Sequence, residues 1–415
     1  MLLWSSLALF LLAVVAVAAV GWVLSNRVLV PSPYGLMPEF ELASVDDLGG
    51  GRYAVGLPAP EPGAQPGAGS AATGGAAGGG ASGSARQPGG QPAQHADPRL
   101  QGTYAVLWDG GYGSLGATLS DAGGVVTRAV ELLGGAPPTA GAPARMDNFY
   151  YRHDPETDLG LPFEDLTLRG PVGDLRAWYV PGEQRTAVLL LHGRRRGELI
   201  ETLRFTQALH DAGLPVLALA YRNHDASDPS PDGLYHYGAS EWQDALVGAL
   251  ELARRGHERV ILYGLSMGGA VALEALERWP QAAPEVVALV LDSPLVSVSA
   301  VVELGAVKAG MPMPATLTRL ALLVAQLRTG TDFAGLEQAS YAPSIGVPVL
   351  LIAGEDDSTV PIAAVDAFAA AVRAPLTYLR LPGVEHVEAW NHDPARYALW
   401  LREFFAGLQV RASAD

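Results

Sequence analysis

The chain contains no cysteine, so disulfide bonds, thiolate metal ligands and a lipid-modified N-terminal cysteine are all excluded. Basic residues are scarce, because 27 lysines and arginines stand against 43 aspartates and glutamates, and the formal net charge is -16. Since nucleic-acid binding depends on clustered positive charge, this balance argues against a nucleic-acid partner. The histidines are scattered, without an H-E-x-x-H motif or a comparable cluster, and we therefore expect no metal site.

With 415 residues, the chain is long enough for one large α/β domain with additions. Short and almost continuously apolar runs alternate with helical patterns in its second half. Such runs predict a mostly parallel sheet that is covered by helices on both faces. The six predicted strands lie at residues 187–191, 215–220, 260–262, 286–291, 347–353 and 376–381. We place this domain at residues 161–410.

One serine, Ser266, lies between Gly264 and Gly268, directly after the third predicted strand and before an alanine-rich helical pattern. This context is typical of a nucleophile elbow, a sharp turn from strand to helix that exposes the serine hydroxyl. Serine is a poor nucleophile at neutral pH, so it needs a histidine to take its proton and a carboxylate to orient that histidine. Taken alone, the motif also fits an ordinary glycine-rich turn.

An acid and a histidine follow the serine in the chain order Ser, Asp, His. Asp356 and Asp357 lie after the fifth predicted strand, and His386 lies after the sixth. Sequence alone leaves the two aspartates open, although the G-x-x-D-x-x-V-P spacing of similar enzymes favours Asp357. His392 competes with His386, but it lies just before Pro394, where a terminal helix is expected to begin. We therefore interpret His392 as a surface or capping residue.

An acyl-transfer site also needs backbone N–H groups that face the oxyanion of the tetrahedral intermediate. Met267, directly after the serine, is expected to supply the first. We expect the second from Arg194, in the loop after the first predicted strand, where Gly193 allows a close backbone approach. His192 opens this loop, and we interpret it as a hydrogen-bonding brace rather than a general base. The triplet Arg194-Arg195-Arg196 fits either an anion site or, as we favour, a solvated loop.

The N-terminal segment from Leu2 to Leu24 carries no charged side chain. As a helix with a rise of about 1.5 Å per residue, it is long enough to cross a hydrocarbon core of about 30 Å. We predict a single-pass transmembrane anchor at residues 1–26, because the first residues lack the basic side chain and the well-placed cleavage site of a signal peptide. Secretion after cleavage is the alternative. Arg27 weakly favours a cytoplasmic C-terminal side, and the orientation stays open.

Two insertions are predicted. Residues 27–160 are expected to form a small β-rich accessory region around a segment at 57–98 that consists almost entirely of Gly, Ala, Pro, Ser and Gln. This segment cannot bury enough apolar surface to fold and is expected to be disordered. Residues 294–344 lie between two predicted strands and carry helical patterns, so we expect a lid over the serine. Its predicted apolar lining consists of Met311, Pro312, Met313 and Leu317.

These residues together resemble the bacterial serine α/β-hydrolase family, in particular its membrane-anchored Bem46-like and serine-aminopeptidase-like branch. The matching motifs are Leu191-His192-Gly193, Tyr221-Arg222-Asn223, Gly264-Leu265-Ser266-Met267-Gly268-Gly269, Gly354-Glu355-Asp356-Asp357-Ser358-Thr359-Val360-Pro361 and Gly383-Val384-Glu385-His386. The resemblance implies an α/β-hydrolase fold over residues 161–408 and a hydrolase without a cofactor.

The leading hypothesis is hydrolysis of a small-molecule carboxylic ester, or a related acyl bond, through an acyl-enzyme on Ser266. A serine peptidase is one alternative, because it would use the same catalytic residues. A non-enzymatic membrane-anchored binding protein with the same fold is the other. The sequence leaves the natural substrate and the oligomeric state open.

Overall fold

The computed structural model describes residues 19–31, 38–59, 97–195, 197–224 and 226–412. The chain divides into a smaller unit, Gly35–Gln101 with Ala105–Asp147, and a larger unit, Met1–Tyr34 with Gly102–Tyr104 and Asn148–Asp415. Most of the predicted anchor and most of the predicted glycine-rich insert lie outside the described residues.

The boundary between the units lies after Asp147, earlier than the predicted boundary after residue 160. The difference arises because Tyr150 and Tyr151, which are partly buried, pack against the core of the larger unit. Their rings lie against Trp390, with centroid separations of 6.2 Å and 5.9 Å. These aromatic contacts are long-range in sequence, and the composition of the segment does not reveal them.

The smaller unit contains one seven-stranded sheet with the order β1-β7-β4-β5-β6-β3-β2. Its strands are β1 (Phe40–Glu41), β2 (Ser44–Gly49), β3 (Arg52–Pro58), β4 (Tyr104–Trp108), β5 (Gly111–Ala122), β6 (Val125–Gly135) and β7 (Pro143–Asp147). Gly123 and Gly124 join β5 to β6 with φ angles of 62° and 76°. A two-residue hairpin turn with positive φ at both positions favours glycine.

The larger unit is built on an eight-stranded sheet with the order β15-β14-β13-β12-β10-β11-β9-β8. Its strands are β8 (Glu164–Arg169), β9 (Asp174–Val180), β10 (Thr186–Leu191), β11 (Val216–Leu219), β12 (Arg259–Leu265), β13 (Glu285–Asp292), β14 (Val349–Gly354) and β15 (Leu376–Leu381). The strands from β10 onward pair in parallel, whereas β8 and β9 pair antiparallel at one edge. Parallel strands end at the same edge of the sheet, so the loops after β10, β12, β14 and β15 share that edge.

Helices cover both faces of this sheet. Alternate residues of the central strands therefore enter different cores, as Val188 and Leu189 of β10 do. The helices are α1 (residues 19–29), α2 (Pro155–Leu159), α3 (Glu198–Asp211), α4 (Trp242–Arg254), α5 (Met267–Glu277), α6 (Val298–Lys308), α7 (Pro314–Thr329), α8 (Gln338–Tyr341), α9 (Ile362–Ala371), α10 (Ala389–His392) and α11 (Pro394–Ala412), with a 3₁₀ turn at Ala342–Ser344.

The N-terminal helix α1 is part of the larger unit, and its Val28 and Leu29 lie in the same core as β10. None of the helices in the described part of the chain is both long and apolar enough to span a bilayer. The predicted anchor at 1–26 falls mainly on residues 1–18, which lie outside the described residues.

The predicted lid segment contains α6 and α7, which pack on each other. Ser297 caps α6 by accepting a hydrogen bond from the Ala300 N–H at 3.0 Å, and Gly330 ends α7 with φ 76°. A cavity of about 450 Å³ lies between the two helices, lined among others by Glu303, Thr318 and Arg319. Met313 does not line an apolar pocket as predicted, because it lies in the connection between the helices with 68% of its surface exposed.

Candidate active site

Ser266 occupies the turn between β12 and α5 with φ 49° and ψ -114°, a conformation that is strained for any residue with a side chain. Two neighbouring glycines make this turn possible. A Cβ at Gly268 would lie 2.2 Å from the carbonyl oxygen of Leu191, and a Cβ at Gly264 would lie 2.4 Å from that of Gly268. The Ser266 N–H donates to the Asp292 carbonyl at 3.0 Å, so the neighbouring strand β13 holds the strained turn in place.

Three side chains from three loops meet at this turn. The Oγ of Ser266 lies 2.8 Å from Nε2 of His386, and Nδ1 of His386 lies 2.7 Å from Oδ2 of Asp357. These loops follow β12, β15 and β14, which end at the same edge of the sheet. The arrangement can move a proton from the serine hydroxyl to the imidazole while the carboxylate holds the ring in the required tautomer.

The second oxygen of Asp357 is fixed by its own loop. Oδ1 accepts hydrogen bonds from the backbone N–H groups of Thr359 at 2.8 Å and Val360 at 2.7 Å. Asp357 is buried, whereas Asp356 is exposed to solvent. Of the two aspartates that the sequence left open, the structure therefore brings Asp357 to the histidine, in agreement with the motif spacing. His392, the competing histidine, is exposed at the end of α10.

The pKa of His386 is raised above its ordinary value of 6.5. Burial of the ring acts against the charged form, but the charge of Asp357 and its hydrogen bond act in the opposite direction and prevail. A more basic imidazole is a stronger proton acceptor for Ser266. It is also protonated, and therefore unable to accept that proton, over a wider range of acidic pH.

Asp292, at the end of β13, is a buried acid that the sequence analysis did not assign to the site. Burial raises its pKa to about 6, while hydrogen bonds from Tyr397 at 2.8 Å and Ser293 at 3.1 Å act in the other direction. Its negative charge also favours the charged form of His386. The Ser293 hydroxyl accepts the Val387 N–H at 3.1 Å, so this corner of β13 supports both the serine turn and the histidine loop. The sequence feature that could have identified Asp292 is its position as an acid at the carboxyl end of a buried strand.

The loop after β10 lies beside Ser266, since a Cβ at Gly193 would lie 3.5 Å from the Cβ of Ser266. The Gly193 N–H is already engaged, because it donates to the buried Glu201 carboxylate at 2.6 Å. The Gly193 carbonyl accepts the Tyr221 hydroxyl at 3.2 Å and lies 2.7 Å from Nδ1 of His192. In a trans peptide the following N–H points away from that carbonyl, so these contacts help to orient the Arg194 N–H. Arg194 and Met267 stay our predicted oxyanion donors.

His192 is stacked on Tyr221, with ring centroids 4.1 Å apart and an angle of 4° between the ring planes. Burial lowers the pKa of His192 well below its ordinary value, with a further lowering from His224. A neutral ring whose Nδ1 faces the Gly193 carbonyl fits the predicted role as a loop brace. Tyr221 and Glu201, which hold the same loop, were missed as support residues because their contacts cross between separate elements.

The structure describes two residues of the arginine triplet, Arg194 and Arg195. The guanidinium of Arg194 donates to backbone carbonyls at the end of α1. The guanidinium of Arg195 lies 4.1 Å from the ring centroid of Phe149 and donates to Oδ1 of Asn148 at 2.9 Å. Arg194 therefore ties the loop to α1 and is not simply solvated, whereas Arg195 is exposed to solvent, in agreement with the favoured interpretation. Arg196 lies outside the described residues.

A parallel sheet with a serine on the turn after a central strand, and an acid and a histidine on later loops, defines the alpha/beta hydrolase class. The family model described as "Alpha/beta hydrolase family" matches residues 188–409. The chain belongs to this family.

Two curated relatives and one solved structure illustrate the similarity. An uncharacterized protein of Mycobacterium tuberculosis is 32% identical over 219 residues, which is 51% of this chain and 68% of the relative. Human protein ABHD12B is 29% identical over 224 residues, 52% of this chain and 59% of the relative. The Pyrococcus furiosus esterase Pf2001 superposes with a TM-score of 0.50 at 20% identity, covering 62% of this chain and 94% of the esterase. At that identity the likeness concerns the fold alone.

Proposed function

We propose that this protein is a serine esterase that cleaves carboxylic ester or related acyl bonds through an acyl-enzyme on Ser266. The observation that carries the proposal is the continuous hydrogen-bonded chain from Ser266 to His386 to Asp357, with distances of 2.8 Å and 2.7 Å. Each of the three residues lies on a loop at the same edge of the sheet, and the serine sits on a strained turn that a purely structural role does not require.

In the proposed reaction, His386 accepts the hydroxyl proton as Ser266 Oγ attacks the acyl carbonyl. The Met267 and Arg194 N–H groups hold the resulting oxyanion, and His386 returns the proton to the departing alcohol. Water, deprotonated by the same imidazole, then attacks the acyl-enzyme and releases the acid. Asp357 stays ionised throughout and stabilises the imidazolium.

The proposal is tested by comparing p-nitrophenyl esters of short and medium acyl chains with aminoacyl p-nitroanilides. We expect ester hydrolysis to exceed amide hydrolysis, and a fluorophosphonate probe to label the wild-type protein. Faster cleavage of the aminoacyl amides would instead identify a peptidase. Absence of both ester hydrolysis and labelling would contradict any enzyme function and would favour a binding protein with this fold.

We further propose that the face formed by α1 and the lid helices docks on an anionic lipid surface. A Cβ at Gly21 of α1 would lie 2.7 Å from the Val324 side chain of α7, so the two helices lie side by side. Their exposed apolar residues, with one from α6, are Val20, Trp22, Val23, Val307, Leu323 and Leu327. The three helices carry Arg27, Lys308, Arg319 and Arg328 against the single acid Glu303, although the whole chain has a net charge of -16. Of these, Arg319 lines the cavity between α6 and α7 and Arg328 contacts α1, so Arg27 and Lys308 are the basic residues that we assign to the docking face. An apolar face with basic residues suits an anionic interface.

The double variant Leu323→Glu/Leu327→Glu is expected to bind phosphatidylglycerol-containing vesicles about 10-fold more weakly than the wild type, measured by flotation. Both side chains are exposed, at 53% and 78%, so the fold is expected to tolerate the change. Leu250→Glu, on α4 with 45% exposure, is the matched control and should bind like the wild type. Unchanged binding of the double variant would contradict the docking face.

A further inference from the structure

The side chain of Arg194 connects the predicted oxyanion loop to the C-terminal end of α1. Its Nη2 lies 3.0 Å from the carbonyl oxygen of Arg27, 3.2 Å from that of Val28 and 3.1 Å from that of Val30. The last carbonyls of a helix lack partners within the helix and carry partial negative charge, so a guanidinium is well suited to this position. The residue whose N–H is predicted to hold the oxyanion is thus tied through its side chain to the N-terminal helix.

The end of α1 is itself held in place by hydrogen bonds and by buried side chains. The Leu29 carbonyl accepts the Tyr235 N–H at 2.9 Å, and the Val28 carbonyl accepts the hydroxyl of Tyr237. The side chains of Val28 and Leu29 are buried in the core beside the sheet. Tyr235 also donates its hydroxyl to the Arg194 carbonyl at 3.1 Å, so this tyrosine contacts both the helix end and the loop.

The same helix contacts the lid. Arg328 of α7 donates to Oγ of Ser25 at 2.7 Å and to Oδ1 of Asn26 at 2.8 Å. Its guanidinium also lies 4.1 Å from the centroid of the Trp22 ring. One short helix therefore connects an arginine of the lid to an arginine of the oxyanion loop.

We propose that Arg194 is a positioning residue whose side chain, held by the end of α1, sets the direction of its own N–H toward the oxyanion, and that α1 links this loop to the lid through Arg328. The inference rests on the proposed ester hydrolysis. It gives the N-terminal helix a role in the active site, because the helix supplies the carbonyl groups that hold the loop. If α1 connects Arg328 to Arg194 in this way, a substitution in the predicted lid should alter transition-state stabilisation even though the substituted residue does not contact the substrate.

Arg194→Ala in the full chain retains the backbone N–H and removes the contacts of the guanidinium with the end of α1 and with the Tyr235 ring. We expect kcat for a p-nitrophenyl ester to fall about 10-fold to 100-fold, with KM within about 3-fold, because oxyanion contacts act in the transition state. The rate of fluorophosphonate labelling should fall by a similar factor. Each rate of ester hydrolysis is divided by the concentration of active sites that the probe titrates, so that a loss of folded protein is not counted as a loss of kcat. Arg194→Lys, which keeps a donor cation, should recover part of kcat.

Arg195→Ala is the matched control, because it removes the neighbouring guanidinium from the same loop without touching α1. It should keep kcat within about 2-fold of the wild type. A folded Arg194→Ala protein with wild-type kcat would overturn the proposal, and so would an equal loss in Arg195→Ala. A wild-type protein that neither hydrolyses esters nor reacts with the probe would instead contradict the proposed function, and the inference would fall with it.

A double-mutant cycle tests the link to the lid. Arg328→Ala alone should lower kcat about 3-fold, but it should have no further effect in the Arg194→Ala background, because the attachment it acts through is already lost. If kcat of the double variant instead falls by the product of the two single losses, the two arginines act independently and α1 does not connect them.

Discussion

Replacing Ser266 with alanine is expected to lower kcat for ester hydrolysis by about 10⁶-fold and to abolish fluorophosphonate labelling. The Oγ of Ser266 is the atom that lies within hydrogen-bonding distance of the His386 imidazole, so its loss removes the nucleophile while the base and the oxyanion donors stay in place. Alanine keeps the Cβ and the strained backbone, and the neighbouring glycines are unchanged. The midpoint of thermal unfolding, Tm, should therefore stay close to that of the wild type.

Ser340→Ala is a suitable control, because Ser340 is exposed on α8 and donates its hydroxyl to the Glu337 carbonyl at 2.7 Å. This variant should be labelled and should hydrolyse esters like the wild type. Mass spectrometry of the labelled wild-type protein should place the probe on the peptide that contains Ser266. Labelling that persists in Ser266→Ala would mean that another residue is the nucleophile.

The central strands could be predicted from the sequence because helices cover both their faces and leave continuous apolar runs, as in β10 and β12. The edge strands β8 and β9 could not, since their exposed positions carry charged residues such as Glu164 and Arg176. The family and the fold agree with what the motifs implied. The meeting of Ser266, His386 and Asp357 could be predicted because their chain order and their positions after strands are local features.

The supports of the site could not be predicted in the same way. Arg194 donates its side chain to a helix about 165 residues earlier in the chain, and Glu201 accepts the N–H of Gly193 from the following helix. Such contacts depend on the tertiary fold, and no periodicity or short spacing marks them. The sequence favours a solvated loop for a charged triplet, and a contact with the backbone carbonyls of a distant helix becomes visible only in the folded chain.

Replacing Asp357 with asparagine is expected to lower kcat about 10⁴-fold, whereas the same change at Asp356 should stay within about 2-fold. The Asp357 carboxylate accepts from Nδ1 of His386 at 2.7 Å, and an amide there favours the wrong tautomer. Asparagine retains the size of the side chain, and its carbonyl oxygen can still accept from the Thr359 and Val360 N–H groups. Asp356, adjacent in sequence, is a suitable control because its side chain is exposed to solvent, whereas that of Asp357 is buried beside His386. A comparable loss in Asp356→Asn would assign the acid to the other aspartate.

The pH profile gives a second measure of the same interaction. His386 must be neutral to accept the serine proton, so kcat/KM should fall as the pH decreases through the pKa of His386, which lies above 6.5. Asp357→Asn removes the largest interaction that favours the charged imidazole, while burial continues to oppose it. The midpoint of the acidic limb should therefore move to lower pH in the residual activity of this variant, and it should not move in Asp356→Asn. An unchanged midpoint in Asp357→Asn would show that the acidic limb reports a group other than the imidazole paired with Asp357.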